Sequence, residues 1–462
     1  MKELFSPKQL SRIFNQNVKY GASDICINSQ DAKPGDMFFA LKGENTDGHN
    51  FMDAALANGA ALVVSEQLRN DERTIWVESS RDALVKLAKY NMSMTKAPCI
   101  CVTGSVGKTS TRDMIYHLLT SVPKNLKTYV SRKNFNGQIG LPICAATMPI
   151  DTDIAVFEIG MSAAGEIKKL LDIVTPAVAV ITTICETHLE FFNSVYDIAK
   201  AKSEIFEAET PAKAAVIPAD SPYADFLKNK AQHCRIKNIF SFGYENKADA
   251  KILSYDFMGD VIGVKADILG QQISYNLRCH NISGVSNSAA ALLATHLESG
   301  IAIDELAESL QTFRTPPGRG DIIYLDNCDI ILLDDSYNAC PTSLRAAITS
   351  MAQKYKNRRK ILVVGDMKEL GPDSVRFHEN ISPTVDKFGI DLVLACGELA
   401  KCLFDNLREE KKGCWCENSR ELTEKVLENL KNGDCVLVKG SNSMKMRCIV
   451  DFIKQYHNRI AA

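Results

Sequence analysis

The chain has 462 residues, of which 45% are hydrophobic, and a formal net charge of -2. This length favours about three domains over one, and the hydrophobic content is typical of globular proteins with sizeable cores. The small net charge gives no reason to expect a nucleic-acid partner, and no run approaches the ~20 apolar residues of a membrane span. The first residues lack the apolar core of a secretory signal peptide, so we expect a protein of the cytoplasm.

The chain contains 15 cysteines, which is a high number. Several of them lie inside apolar, β-prone runs, where cysteine packs as a small hydrophobic residue. Cys414 and Cys416 have the wrong spacing for a zinc site, and no histidine follows at ligand distance. We therefore expect reduced thiols, with a structural zinc site as the less favoured alternative.

Residues 1–95 are predicted to form the first domain, a small α/β unit. A strand is expected at 37–41 after a Pro-Gly-Asp turn, followed by a helix at 51–58 and a second strand at 60–64. A polar, glycine-containing loop joins the first strand to the helix. His49 lies in this loop, where an imidazole has either a structural hydrogen-bonding role or a catalytic one.

The stretch 101–111 places a glycine-rich loop between a predicted strand and a predicted helix, with the sequence Thr103-Gly104-Ser105-Val106-Gly107-Lys108-Thr109-Ser110. Such a loop points backbone N–H groups at a phosphate, and the positive end of the following helix adds to the attraction. Lys108 can reach the outer phosphates, and the Thr109 hydroxyl suits a Mg²⁺ ligand. The two glycines are closer together than in the usual phosphate-binding loop. The alternative is a glycine turn followed by an incidental Lys-Thr pair.

Residues 96–312 are predicted to form the second domain around this loop. Strands expected at 154–157, 178–181 and 214–217 alternate with helical stretches, which indicates a parallel sheet covered by helices on both faces. Strand patterns that follow, at 261–264 and 273–275, have no clear helix between them. They predict a small antiparallel sheet appended to this domain.

Glu158 and His188 follow two of these strands at neighbouring strand ends, so we expect them beside the glycine loop, where ligands of parallel sheets bind. Glu158 together with Thr109 could hold Mg²⁺, since carboxylate and hydroxyl oxygens suit this ion. Considered singly, the two residues could also be a surface carboxylate and a loop imidazole. Lys202 lies in a helical stretch, and its pattern alone indicates a solvated lysine.

The amide- and glycine-rich stretch 131–142 contains Asn134 and Asn136 and is too polar for a core. It predicts either a loop that faces a ligand and leads into a helix, or an ordinary turn.

Residues 313–462 are predicted to form the third domain, after a Pro/Gly-rich segment at 315–320 that we interpret as a hinge. Its strands are expected at 330–333, 361–364, 392–394 and 436–438. Each strand ends in a polar or glycine-bearing loop, which predicts a second ligand-binding edge. Charge runs at 356–360 and 409–412 are interpreted as solvated faces.

The glycine loop resembles the short phosphate-binding loop of the Mur ligases, ATP-dependent enzymes that extend the cell-wall peptide on a UDP-sugar. The resemblance covers all three domains. Four stretches resemble the family member that joins D-alanyl-D-alanine to UDP-N-acetylmuramoyl-tripeptide: 34–41 with the Asp-Gly-His of 47–49, the Glu-Ile-Gly-Met of 158–161, the Asp-Asp-Ser-Tyr-Asn-Ala of 334–339, and the Gly-Asp-Met-Lys-Glu-Leu-Gly of 365–371. The Asp-Asn-Pro-Arg motif expected of the ligase that adds the third peptide residue is absent from the sequence.

This resemblance implies an α/β protein of three domains. They are a small N-terminal domain that binds the UDP-sugar, a central parallel-sheet domain that binds ATP, and a C-terminal Rossmann-like domain. The implied reaction is amide ligation through an acyl phosphate, with ATP and two Mg²⁺ ions, in the bacterial cytoplasm. The implied partners are small-molecule substrates, and the implied oligomeric state is a monomer.

The resemblance also implies a role for each candidate residue. One Mg²⁺ would be held by Thr109 and Glu158, and a second by His188 and Lys202, the latter carbamylated in the family. Asn134 and Asn136 would border the reacting carboxylate, and with Lys108, His188, Lys202 and Arg319 they form the implied catalytic set. Within the nucleotide site, Asn287 would face the adenine, Arg319 the phosphates and Asp335 the ribose. The implied nucleotide-binding residues are Gly104, Ser105, Val106, Gly107, Lys108, Thr109, Ser110, Asn287, Arg319 and Asp335.

Four short stretches depart from the family pattern. His280-Asn281 lies three residues too early relative to Asn287 for the family's His-Asn-x-x-Asn spacing, so the resemblance implies no role for His280. Asn28-Ser29-Gln30 stands where Asp-Ser-Arg is usual, Asn136-Gly137 replaces Asn-Asn, and Lys439-Gly440-Ser441-Asn442 lacks an arginine at its fourth position. Two rival functions are a ligase of the same fold that adds glutamate to folate, and a nucleotide switch that hydrolyses ATP slowly. The switch would not require His188, Lys202 or a third domain with its own ligand edge.

Overall fold

A computed structural model describes residues 3–43, 45–122, 125–132, 134–325 and 328–460, with side chains through residue 455. Within these ranges the strands form three sheets, of four, nine and six strands. The sheets occupy residues 24–76, 99–277 and 321–439, while the domain limits 1–95, 96–312 and 313–462 stay predictions. Glu44 and Lys133, which belong to two of the predicted loops, fall outside the described ranges.

The first sheet is parallel, in the order β1-β2-β3-β4, with strands β1 Asp24–Cys26, β2 Asp36–Phe39, β3 Leu62–Ser65 and β4 Thr74–Trp76. Its helices are α1 Pro7–Phe14, α2 Met52–Ala57 and α3 Ser80–Met94. Helix α1 begins at Pro7 because the Ser6 side chain accepts from the Gln9 amide and the Gln9 side chain accepts from the Ser6 amide. This reciprocal cap and a proline at the first position define a helix start.

The central sheet has the order β13-β12-β11-β10-β9-β8-β5-β7-β6. Its strands are β5 Cys99–Thr103, β6 Thr128–Val130, β7 Ile154–Glu158, β8 Pro176–Ile181, β9 Ala214–Pro218, β10 Asn238–Gly243, β11 Ala250–Met258, β12 Val261–Ile268 and β13 Gln271–Leu277. Its helices are α4 Lys108–Ser121, α5 Gly140–Ala146, α6 Glu166–Leu171, α7 Val195–Ser203, α8 Ala224–His233, α9 Ser283–Ser299 and α10 Ile303–Ser309.

Strand β5 lies in the middle of the parallel part, between β7 and β8, and is buried on both faces. Cys99 and Cys101 pack in one core with residues of α5, α6 and α7, whereas Ile100 and Val102 pack in the other with α4 and α9. A strand covered on both faces is expected to be apolar throughout, as β5 is. The predicted α/β class, with helices on both faces of a parallel sheet, is confirmed.

Strands β11, β12 and β13 are antiparallel, as the sequence predicts, but they do not form a separate sheet. Strand β11 pairs in parallel with β10, so the hairpins extend the central sheet at one edge. The loop between β12 and β13 consists of Leu269 and Gly270, which have φ of 55° and 85°. Two positive φ values are typical of the tight turn that matches the strand twist in a two-residue hairpin.

The C-terminal sheet has the order β14-β15-β19-β16-β17-β18, with β14 antiparallel to β15 at one edge. Its strands are β14 Asp321–Leu325, β15 Ile330–Asp335, β16 Arg359–Gly365, β17 Leu392–Cys396, β18 Lys412–Cys416 and β19 Asp434–Lys439. Its helices are α11 Pro341–Lys354, α12 Ser374–Glu379, α13 Ser382–Lys387, α14 Glu398–Asp405, α15 Ser419–Asn429 and α16 Arg447–Ile460. The sequence analysis missed the edge strands β14 and β18, which are only partly buried.

None of the helices in the described ranges is long and apolar enough to cross a bilayer.

Helix α3 connects the first sheet to the central one through a buried amide. The Asn91 side chain donates to the carbonyls of Ala145 and Met148, both at 2.8 Å, and is 2% exposed. These carbonyls lie at the end of α5, so one side chain satisfies two buried acceptors in the neighbouring unit.

Replacing Asn91 by leucine should lower the free energy of unfolding by about 2–4 kcal/mol, because two buried carbonyls lose their donor. Urea unfolding followed by circular dichroism measures this change. The matched control is Lys89→Leu, at an exposed position of the same helix, which should shift stability by less than about 0.5 kcal/mol. Equal effects of the two substitutions would contradict a role of the amide in holding the two units together.

Candidate active site

A cavity of about 750 Å³ lies where the three units meet. The first unit contributes Ile27 and Arg81 to its wall. The central unit contributes the glycine loop and the stretch 134–140, and the C-terminal unit contributes the segment around Arg319 and the end of β15. Loops after strands of both larger sheets therefore converge on one space, which is where ligands of α/β sheets bind.

The glycine loop follows β5 and begins α4, as predicted. Gly104 and Gly107 have φ of 147° and 91°, a region that other residues rarely adopt. A Cβ atom on Gly104 would lie 1.9 Å from the Thr182 hydroxyl, and one on Gly107 would lie 2.6 Å from Asn287 Oδ1. Both glycines are thus required by backbone conformation and by close packing.

Side-chain and backbone groups of the loop after β8 hold the glycine loop in shape. The Thr182 hydroxyl lies 2.7 Å from the Val106 carbonyl and 3.1 Å from the Thr103 carbonyl. The Ser105 hydroxyl donates to the Cys185 carbonyl at 3.0 Å and accepts from the Cys185 amide at 3.2 Å. Because the bracing groups come from a separate strand, the loop conformation depends on the sheet and not on the glycines alone.

Lys108 folds back over the glycine loop. Its Nζ donates to the carbonyls of Gly104 and Ser105, at 2.7 and 3.1 Å. Burial lowers the pKa of Lys108, and Arg319 lowers it further, while Glu158 opposes the shift. A buried ammonium at this position gains from any anion that enters the cavity.

Glu158, at the end of β7, is the centre of a polar cluster. Its Oε2 accepts from the Thr109 hydroxyl at 2.7 Å and lies 3.3 Å from Arg112 Nη1. Its Oε1 accepts from the Asn136 side-chain amide at 2.6 Å. Three predicted residues, Thr109, Glu158 and Asn136, are thus in direct contact.

Arg112 was missed by the sequence analysis. Its guanidinium is almost fully buried and pairs with Asp113 at 2.6 Å in addition to Glu158. A signal for it exists in the sequence, because Arg112 lies one helical turn after Lys108 and so on the same side of α4. Burial raises the pKa of Asp113, with Arg112 acting in the opposite direction.

His188 and Glu158 follow strands that flank β5, so the two strand ends are separated by the glycine loop and are not neighbours. His188 has φ of 57° and its Nδ1 lies 2.5 Å from Glu369 Oε2 of the C-terminal unit. This contact with His188 lowers the pKa of Glu369, against the effect of burial. The imidazole therefore lies at the seam between the two larger units.

Lys202 of α7 is 1% exposed, so the pattern-based interpretation as a solvated lysine is wrong. Burial lowers its pKa well below the ordinary value, and the charge of Lys108 adds to this shift, while Cys185 and Glu158 oppose it. No hydrogen bond or ion pair joins Lys202 to His188 in the part of the chain described. Lys202 and His188, the two predicted ligands of a second ion, are thus not hydrogen-bonded to each other in the described residues.

The C-terminal unit brings Arg319 and Asp335 to the cavity. The Arg319 guanidinium carbon lies 3.9 Å from the centre of the Tyr337 ring, a stacking that directs the side chain. Asp335 accepts from Lys439 Nζ at 2.7 Å, and both side chains are nearly buried. Lys439 and Tyr337 also line the cavity, and the sequence analysis assigned neither of them a role.

Most of the predicted site residues line this cavity. They are Ser105, Val106, Gly107, Lys108, Thr109, Ser110, Asn134, Asn136, Glu158, His188, Asn287, Arg319 and Asp335. Gly104 and Lys202 are not part of the wall and lie behind it.

Comparison with known proteins matches three family models to successive parts of this chain. They are the Mur ligase family, catalytic domain, over residues 22–91, the Mur ligase middle domain over 102–295, and the Mur ligase, glutamate ligase domain, over 318–442. The chain belongs to the Mur ligase family. The family membership and the three-domain α/β fold predicted from the sequence are confirmed.

Similar Mur ligases include both curated and solved proteins. The UDP-N-acetylmuramoyl-tripeptide–D-alanyl-D-alanine ligase of Rickettsia prowazekii is 35% identical over 433 residues, which cover 93% of this chain and 95% of the relative. A crystal structure of MurF from Acinetobacter baumannii has a TM-score of 0.87 at 26% identity, covering 98% of this chain and 99% of that one. MurF ligase from Thermotoga maritima in complex with ADP has a TM-score of 0.82 at 28% identity, covering 95% and 98%.

The glycine loop of this Mur ligase offers a matched test. Gly107 and Gly165 both precede a helix and have φ of 91° and 82°, but a Cβ on Gly165 would meet nothing within 4 Å. Gly107→Ala should therefore weaken ADP binding by about tenfold or more, because it displaces Asn287 and the loop amides. Gly165→Ala shares the backbone strain, of about 1–2 kcal/mol, and should leave ADP affinity unchanged. Isothermal titration calorimetry measures both, and similar affinities of the two variants would refute the phosphate role of the loop.

Proposed function

We propose that this Mur ligase joins D-alanyl-D-alanine to the terminal carboxylate of UDP-N-acetylmuramoyl-tripeptide at the expense of ATP. The observation that carries the proposal is the single cavity in which a phosphate-binding loop, an amide-rich loop and residues of all three units meet. The full-length similarity to ligases that bear this substrate pair in their names supports the choice of substrates. The product would be UDP-N-acetylmuramoyl-pentapeptide, a precursor of peptidoglycan.

In this proposal the ATP phosphates lie on the glycine loop. Its amides and the start of α4 favour the negative charge, and Lys108 releases the loop carbonyls to contact the outer phosphates. Arg319 reaches the same phosphates from the C-terminal unit, Asp335 contacts the ribose and Asn287 lies on the adenine side. The solved relative in complex with ADP supports nucleotide binding by this architecture.

The side chains beside the loop fit a Mg²⁺ ion. The Thr109 hydroxyl and Glu158 Oε2 are hard oxygen donors only 2.7 Å apart, which suits this ion. Among the described residues, no group of three or more His, Cys, Asp or Glu side chains is placed so that it could hold a metal ion, so phosphate oxygens and water would complete the coordination. A bound Mg²⁺ would neutralise charge on the phosphates.

Lys202 fits the proposed carbamate because its burial favours the neutral amine. Carbamylation forms a bond between Nζ and the carbon of carbon dioxide, and one proton leaves Nζ. The product is a negatively charged carbamate in place of a buried amine that is costly to protonate. It would lie close to Lys108, where a negative charge is stabilised, and with His188 it could hold a second Mg²⁺.

The ligation needs two steps because a carboxylate is a poor electrophile. In the first, the tripeptide carboxylate attacks the γ-phosphorus of ATP, the bond to the ADP oxygen breaks, and an acyl phosphate forms. In the second, the amine of D-alanyl-D-alanine attacks the acyl carbon, loses a proton, and phosphate leaves. Lys108 and Arg319 offset the repulsion between the reacting anions, and Asn134 and Asn136 border the carboxylate. Closure of the units over the cavity excludes water that would hydrolyse the intermediate.

The proposal also assigns a role to the first unit. The first unit would hold the UDP-sugar, with Ile27 and Arg81 at the cavity. The monomeric state and the cytoplasmic location stay predictions.

The reaction is tested by measuring phosphate release from ATP with Mg²⁺, UDP-N-acetylmuramoyl-tripeptide and D-alanyl-D-alanine, omitting each component in turn. We expect release only when all are present, together with a new mass for the UDP-pentapeptide. Release that needs neither the carboxylate nor the amine substrate would refute the ligase and favour the nucleotide switch. Turnover of a folate and glutamate instead would favour the folate ligase.

The carbamate is tested by comparing two lysines of α7. Lys202→Ala should lower kcat by about 100-fold or more, and added acetate or formate should restore part of it by replacing the lost negative charge. Lys200→Ala removes an exposed lysine that pairs with Asp197 at 2.6 Å on the same helix, and it should leave kcat unchanged. Full activity of Lys202→Ala, or a loss that no short carboxylate rescues, would contradict the proposal.

A further inference from the structure

Two cysteines meet across the seam between the central and C-terminal units. Cys185 follows β8 and Cys340 immediately precedes α11, and their sulfur atoms lie 3.8 Å apart. Both side chains are buried, at 5% and 3% exposure. The two residues come from separate sheets, 155 positions apart in the chain, so the contact exists only through the docking of the two units.

Other polar contacts surround this pair and keep the seam in register. The Thr342 hydroxyl donates to Glu186 Oε2 at 2.6 Å, one residue beyond Cys185. His188 contacts Glu369 at 2.5 Å, and the Glu190 amide donates to the Glu369 carbonyl at 3.2 Å. The two sulfur atoms are therefore held near each other by contacts on the same short loop, and little movement separates a thiol contact from a disulfide.

The surroundings of Cys340 favour the thiolate, the reactive form of a thiol. The hydrogen bond between the two sulfur atoms, together with the Ser343 contacts at the start of α11, lowers the pKa of Cys340 against the effect of burial. The same contact, with burial, raises the pKa of Cys185. Cys340 is also one of the residues that line the cavity, which is the side from which a small oxidant would approach.

We propose that Cys185 and Cys340 form a reversible disulfide in the presence of a peroxide, and that this bond locks the C-terminal unit onto the glycine loop. This function is separate from the ligation itself. Only its effect on turnover depends on the proposed reaction, since the covalent bond can be detected without any substrate.

The chemistry balances with hydrogen peroxide as the oxidant. The Cys340 thiolate attacks one peroxide oxygen, the O–O bond breaks, and hydroxide leaves, which gives a sulfenic acid and, after protonation, water. The Cys185 sulfur then attacks the sulfenic sulfur, the S–O bond breaks, and the departing hydroxide takes the Cys185 proton as a second water. Peroxide gains the two electrons that the two thiols lose, and a dithiol reductant reverses the reaction.

The position of the bond explains why it would stop turnover. The Cys185 backbone is hydrogen-bonded to the Ser105 side chain of the glycine loop through both its amide and its carbonyl. A disulfide would therefore tie α11 to the phosphate-binding loop through a few covalent bonds. Exchange of substrates and products in a cavity between units requires the units to separate, and the bond would prevent this.

The test treats the full-length protein with hydrogen peroxide, blocks the remaining thiols, and maps disulfides by mass spectrometry of a non-reduced digest. We expect a peptide pair joined through Cys185 and Cys340, which disappears after dithiothreitol. Turnover should fall at least about tenfold on oxidation and recover on reduction. An oxidised protein that lacks this peptide pair, or that contains it and keeps its full turnover, would overturn the proposal.

Two variants assign the effect to this pair. Cys185→Ser keeps a hydroxyl in place of the thiol and should make turnover insensitive to peroxide, as judged by the oxidised-to-reduced ratio. Cys448→Ser removes an exposed thiol far along the chain and should leave the sensitivity unchanged. Peroxide inactivation that persists in Cys185→Ser would refute the lock. If that variant folds poorly, the peptide map of the unmodified chain still decides whether the disulfide forms. Absence of turnover in the reduced protein would instead refute the proposed ligase and leave the disulfide to be decided by the map.

Discussion

The turn between β5 and α4 is the constraint on which the active site depends. It requires positive φ at Gly104 and Gly107, and it leaves no room for a Cβ, because Thr182 and Asn287 fill the space beside the two glycines. These two side chains come from the loop after β8 and from α9. The conformation of the glycine loop is therefore stabilised by neighbouring elements of the central unit, and this loop sets the position of the first residues of α4.

Charge burial explains how the site is prepared for anionic substrates. Lys202 and Arg112 are buried and Lys108 is partly buried, and all three lie near the carboxylate of Glu158. Burial lowers the pKa of both Lys108 and Lys202. The Lys108 ammonium donates hydrogen bonds to carbonyls of the glycine loop. Phosphates, or a carbamate on Lys202, would remove this cost by supplying negative charge. The folded chain thus places buried positive charge beside the cavity, which the anions of the proposed reaction would stabilise.

The seam between the two larger units has a chemistry of its own. Glu186, His188 and Cys185 lie on one short loop after β8, and each contacts a residue of the C-terminal unit. This loop also braces the glycine loop through Ser105. These few contacts therefore connect the docking of the C-terminal unit to the glycine loop. The proposed disulfide would use the same connection.

The sequence by itself determined the strand, glycine loop and helix, the parallel α/β class and the family, and most of the site residues that it predicted lie on the cavity wall. These signals are local: glycine spacing, a Lys-Thr pair and apolar runs report on one element at a time. Only the tertiary structure decided that Lys202 is buried, that Arg112 pairs with Glu158, and that β11 continues the central sheet. It also brought His188 to Glu369 and Cys185 to Cys340. Those outcomes depend on packing between elements distant in the chain, and periodicity within a single helix or strand carries no information about which partner it will meet.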